Sequence, residues 1–95
     1  MNITYHTDPG HGWLAVPLSL IRRLNLMGKI SACSYIDSAA DAPVVYLEED
    51  CDAGLFMNAA KQREITVDIV DRHLNKDHWI RHLRPYQSNH YLHWS

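Results

Sequence analysis

The chain has 95 residues, 46% hydrophobic and 21% charged, with a formal net charge of -2 when its seven histidines are neutral. That length holds one core and excludes a second independent domain, while the apolar share excludes general disorder. A slightly acidic chain lacks the excess cations that neutralise phosphates, so nucleic acid is disfavoured as a partner.

Two cysteines, Cys33 and Cys51, are too few for a disulfide framework. They read as reduced thiols in a reducing compartment, with a single bridge left open. No basic stretch followed by an apolar core marks a secretory signal. No apolar run approaches the ~20 residues that span a bilayer, so a soluble, cytoplasmic protein without membrane contact is expected. Histidine is the compositional outlier, and five of the seven fall after residue 72. Their protonation near pH ~6 would reverse the net charge, so pH-sensitive partner binding is expected.

In chain order, Asn2 to Thr7 is rich in β-formers and predicts a strand. Asp8-Pro9-Gly10-His11-Gly12 predicts a turn, with proline presetting φ and the glycines permitting positive φ. Trp13 to Val16 then completes a hairpin that Pro17 stops. Leu18, Ile21, Leu24 and Leu26 recur at helical spacing, with Ser19 as cap and Gly28 as terminator. Lys29 to Asp37 alternates like a half-buried strand. A loop follows, and Val44 to Glu48 pairs back as a second hairpin. Asp50 or Asp52 caps a helix running through about Lys61, where a carboxylate suits unpaired amides and the dipole. Glu64 to Asp71 favours a strand, and Asn75 or Asp77 opens a last helix with Trp79, Ile80 and Leu83 on its apolar stripe. The sum is an α+β fold: an antiparallel sheet of four to five strands with two to three helices packed on one face. Residues 1–87 form a single compact domain, and residues 88–95 form a C-terminal tail.

Four groups carry candidate chemistry. Glu48, Glu49, Asp50 and Asp52 gather where a strand hands over to a helix. They can cap that helix, hold a hard cation, or receive a basic patch on a partner. A cation site lacks a second acidic run, and the spacing lacks the glycine and later glutamate of an EF-hand. The Asp8–Gly12 segment resembles the zinc-binding start of N-acetylmuramoyl-L-alanine amidases, in which the histidine is a ligand. The likeness covers five residues, and the flanking pattern is a hairpin. His78 and His82 lie four apart on the predicted last helix and could share a zinc ion, but Trp79 stands where a zinc protease has glutamate. His11, His78 and His82 are therefore minor metal candidates, and the plainer account is exposed histidines. Arg81 and Arg84, near Trp79, Tyr86, Tyr91 and Trp94, could stack on a nucleotide or pair with an acidic partner. Neither cysteine has the supports of a nucleophile; the acids around Cys51 would raise its pKa. No catalytic residue and no cofactor is assigned.

Three pieces, His6-Thr7-Asp8-Pro9-Gly10-His11-Gly12-Trp13-Leu14-Ala15-Val16-Pro17, Ile30-Ser31-Ala32-Cys33-Ser34-Tyr35 and Tyr46-Leu47-Glu48-Glu49-Asp50-Cys51-Asp52, resemble in order and spacing a family of small bacteriophage and mobile-element proteins. The likeness spans about residues 4 to 86. It implies expression inside a bacterial host and work by binding, often by blocking a host protein, as anti-CRISPR and other anti-defence proteins do. It carries over no catalytic residues. The function expected is a non-enzymatic protein that inhibits or modulates a host macromolecule, with Glu48, Glu49, Asp50 and Asp52 as contact patch and His11 and Trp13 on a nearby loop. The alternatives are a small metal-dependent hydrolase using His11 and the carboxylates, or a homo-oligomer built on a strand edge or the aromatic tail.

Overall fold

The computed structural model of the chain describes residues 1–39 and 41–87; the expected tail, with Tyr91, Trp94 and two histidines, lies outside the described residues. Strand β1 (Asn2–Thr7) and strand β2 (Gly12–Pro17) form the expected antiparallel hairpin, with Thr7 opposite Gly12. The turn is built on Asp8 more than on its glycines. The Asp8 amide donates to the His11 carbonyl at 2.9 Å, and Asp8 Oδ1 accepts from the amides of Gly10 and His11 at 3.0 and 2.9 Å. No described glycine takes positive φ. Gly12 answers a different need, because a Cβ there would sit 2.3 Å from the Tyr5 hydroxyl oxygen.

Helix α1 (Leu18–Arg23) starts directly after Pro17, and no side chain caps it, so Ser19 does not play that part. Asn25, at φ 59°, turns the chain out of the helix three residues before the glycine expected to do so. Asparagine tolerates the left-handed region because its short polar side chain bonds locally. The expected strand from Lys29 shrinks to β3 (Tyr35–Asp37). Residues 31–34 turn instead, with the Ser34 amide donating to the Ser31 carbonyl at 3.3 Å. A side chain outside the segment overrides its alternation: Asp52 takes up both serines, as described below.

Strand β4 (Val44–Glu48) lies between β2 and β3, antiparallel to both. Helix α2 (Ala53–Gln62) follows, with Asp52 at the cap position but making no capping bond. The helix returns the chain to the end of the sheet where β4 began. Strand β5 (Asp68–His73) therefore runs in the direction of β4, and it pairs in parallel with β1, Asp68 opposite Asn2. The last helix expected is a single 3-10 turn, Trp79–His82, before strand β6 (Arg84–Pro85) pairs with β3. Pro85 biases Arg84 toward the extended backbone that β6 needs, which limits the helix.

Among the described residues the fold is thus a mixed α/β one, with a six-stranded, mostly antiparallel sheet ordered β5-β1-β2-β4-β3-β6 and two α-helices. The expected strand count was too low, and the purely antiparallel sheet is corrected by the β1–β5 pair. Strand alternation divides the buried residues between two faces. Leu14, Val16, Ile36, Val45 and Leu47 pack with Leu18 and Ile21 of α1 and Phe56 and Ala60 of α2. On the other face Trp13 and Tyr46 pack with Ile80 of the 3-10 turn. Among the described residues no helix is long and apolar enough to cross a membrane.

Candidate functional site

Strands β1 and β4 end at the same edge of the sheet, where β2 and β3 begin. The loops that meet there enclose a cavity of about 280 Å3 lined by His11, Trp13, Cys33, Glu48, Cys51 and Arg81, among others.

Asp8 anchors one side. Its side chain is fully buried, and Arg81 clasps it with two bonds, Nε to Oδ2 at 2.6 Å and Nη2 to Oδ1 at 2.9 Å. The His78 amide adds a second donor to Oδ2 at 3.0 Å. Arg81, helped by the backbone amides and opposed by burial, holds the Asp8 carboxyl well below the usual carboxylate range. A bidentate pair of this kind fixes both position and orientation of the guanidinium. Its central carbon lies 5.4 Å from the centroid of the Trp13 ring, a cation–π contact. Trp13 itself is a core residue at 1% exposure, and its indole nitrogen has no hydrogen-bond partner among the described residues.

Glu48 anchors the other side. It is buried, yet His11 Nδ1 lies 3.1 Å from its Oε1 and the Asp50 amide donates to its Oε2 at 2.8 Å. Burial pushes the Glu48 carboxyl up, but the bonds from His11, the Asp50 amide and Cys51 outweigh it and leave the group below its ordinary value. The Cys51 thiol is pushed up to about 12, first by its hydrogen bond to Cys33, then by burial and by Glu48. The acids expected to raise it do contribute, but the neighbouring thiol contributes more.

The four carboxylates do not share one surface. Asp52 is buried at 3% exposure and points inward, accepting from Ser31 N at 3.1 Å, Ser31 Oγ at 2.8 Å and Ser34 Oγ at 2.5 Å. Glu48 is consumed as described. Glu49 and Asp50 remain exposed, Glu49 accepting from the Tyr5 hydroxyl. Together Glu48, Glu49 and Asp50 can offer three oxygens within 4.8 Å of one another, and they form the sole such metal-competent group among the described residues. His11, Trp13, Glu48 and Asp50 therefore converge on the cavity; Glu49 turns away to Tyr5 and lines a separate apolar pocket with Leu14, Ala53 and Met57, and Asp52 is buried against Ser31 and Ser34.

The histidine pair expected on a helix is not there. His78 is buried ahead of the 3-10 turn, its Nδ1 accepting from the Ile80 amide at 3.2 Å, while His82 is exposed. With Nδ1 accepting from the backbone, a neutral His78 ring carries its proton on Nε2, so neither nitrogen offers a lone pair to zinc in this arrangement. Trp79, expected in the core, is 48% exposed and packs edge-on to Tyr46 at 5.4 Å. Burial lowers His6 and His78, which narrows the charge change expected from the histidines near pH ~6.

Sequence reasoning missed Arg81 as the partner of Asp8 and the serines as partners of Asp52. Asp8 carried a local signal, since aspartate before Pro-Gly commonly bonds the amides that follow. Nothing in the sequence pointed across the separation to Arg81. No family model, curated protein or solved structure matches this chain.

Proposed function

We propose that the chain is a non-enzymatic binding protein of a bacteriophage or other mobile element that modulates a host macromolecule, in the anti-defence manner of anti-CRISPR proteins. Its contact point is the exposed Glu49–Asp50 rim just beyond the end of strand β4, which receives a basic side chain of the partner. One observation carries this reading: Glu49 and Asp50 are exposed and in no ion pair among the described residues, while the cation beside the cavity, Arg81, is locked onto Asp8. Unpaired rim acid speeds encounter with a positive patch and is screened by salt.

Affinity capture from bacterial lysates with and without defence systems, at low salt, supplies the partner. The Glu49→Lys/Asp50→Lys protein is then compared with the parent for the partner found. The double reversal weakens binding at least about tenfold and the loss shrinks as salt rises. Unchanged affinity at low salt overturns the proposal.

The hydrolase reading keeps one supporting observation, the convergence of His11 with Glu48 beside two further carboxylates. Elemental analysis of protein purified without an affinity tag, followed by titration with zinc and manganese, tests it. Absence of binding at micromolar metal ends that reading.

A further inference from the structure

Cys33 and Cys51 are brought together by a clamp that neither of them makes. Cys33 lies in the loop between Ser31 and Ser34, and Cys51 immediately precedes Asp52. The Asp52 carboxylate holds the Ser31 amide and hydroxyl and the Ser34 hydroxyl, the last at 2.5 Å across a separation of 18 residues. Ser34 Oγ also accepts from the Glu48 amide at 3.1 Å. Each cysteine backbone is fixed in turn: the Cys33 amide donates to Ser31 Oγ at 3.2 Å and the Cys51 amide to the Glu48 carbonyl at 3.2 Å. Both thiols are exposed, unbridged, and line the same cavity. The Cys33 thiol is the foremost cause that pushes the Cys51 thiol up, as a close neighbour would.

We propose that Cys33 and Cys51 are a reversible intramolecular disulfide pair, formed by exchange with a low-molecular-weight disulfide of the glutathione type. The bridge turns one wall of the cavity from two thiols into a covalent strap between the 31–34 loop and the start of α2. This inference is independent of any partner at the Glu49–Asp50 rim.

The exchange balances in two displacements. The Cys33 sulfur, as thiolate, attacks one sulfur of glutathione disulfide, whose S–S bond breaks and releases one glutathione thiol. Once Cys33 is blocked in the mixed disulfide its thiol no longer pushes Cys51 up, and the Cys51 thiolate attacks the Cys33 sulfur and displaces the second glutathione thiol. The two cysteine protons end on the two glutathiones. The cysteine pair loses two electrons, and glutathione disulfide gains them. Oxidation also removes the Cys51 S–H donor from Glu48, which keeps His11 and the Asp50 amide.

The test equilibrates the reduced full-length chain with graded ratios of oxidised to reduced glutathione, once folded and once unfolded in urea. Products are trapped with acid and read by intact mass and peptide mapping. The folded chain loses the mass of two hydrogens and yields a Cys33–Cys51 peptide. Its half-oxidation requires at least about tenfold less glutathione disulfide than in urea, because folding raises the effective concentration of one thiol at the other. Cys33→Ser and Cys51→Ser proteins take up one glutathione each and form no internal bridge. Equal midpoints for folded and unfolded chain overturn the proposal, as does a folded product carrying two glutathiones or linked only between molecules.

Discussion

The Asp52 carboxylate is the tie between the 31–34 turn and helix α2, and its removal gives a sharp test of how the site is built. In Asp52→Ala three donors lose their acceptor: the Ser31 amide, the Ser31 hydroxyl and the Ser34 hydroxyl. Ser34 is fully buried, so water cannot replace the lost acceptor. Leaving a buried donor unsatisfied costs about 1–3 kcal/mol. Ser31 is partly exposed and can recruit water, so its two bonds are worth about 0.5–1.5 kcal/mol each. Allowing for non-additivity within one network, the expected loss is about 3 kcal/mol, or about 12–24 °C in Tm for a domain of this size. Urea unfolding followed by circular dichroism measures it. Asp50→Ala is the internal control, since Asp50 enters the same network only through its backbone amide. Its cost should stay within about 0.5 kcal/mol. If both variants unfold at the same urea concentration, the inward carboxylate is not what holds the 31–34 turn.

Two further outcomes are expected. Asp8 titrates well below its ordinary value in the folded chain, so its contribution is full above about pH 5 and drains away as pH falls through about 4 toward the folded-state value. Urea midpoints across that range should fall steeply for the parent and less steeply for Asp8→Asn, which is already weaker at neutral pH; parallel slopes would refute the assignment. Gly12→Ala forces a methyl to within 2.3 Å of the Tyr5 hydroxyl oxygen and 2.6 Å of its ring carbon. The expected cost is about 1–3 kcal/mol, falling below about 0.5 kcal/mol in a Tyr5→Ala background. An undiminished cost in that background would place the strain elsewhere.

Where local chemistry decided the backbone, the sequence could be read. The Asp8–Gly12 turn, strands β1, β2 and β4, and helix α2 all follow from residues within a few positions of one another. The errors share a cause. Residues 30–34 alternate like a strand, but the Asp52 acceptor offers their serines better partners than a ladder would. The segment at His78 spaces its apolar residues like a helix, yet the His78 amide is drawn to Asp8 and β6 pairing needs extended chain. Glu48 and Asp52 looked like surface charge because a sequence does not show what donors lie across the fold. For the candidate site, the convergence of His11 with Glu48 was allowed by hairpin order, whereas the Asp8–Arg81 clasp depends on tertiary geometry alone.

That clasp spans 73 positions, which ties the site to the order of synthesis. The four central strands, β1, β2, β3 and β4, come from the first 48 residues and can pair as soon as they leave the ribosome. Until residue 81 emerges, Asp8 has its own turn amides but no counter-ion. Until then the chain carries an unneutralised acid where β1 ends, and docking of the final turn supplies both its counter-ion and the Arg81 wall of the cavity.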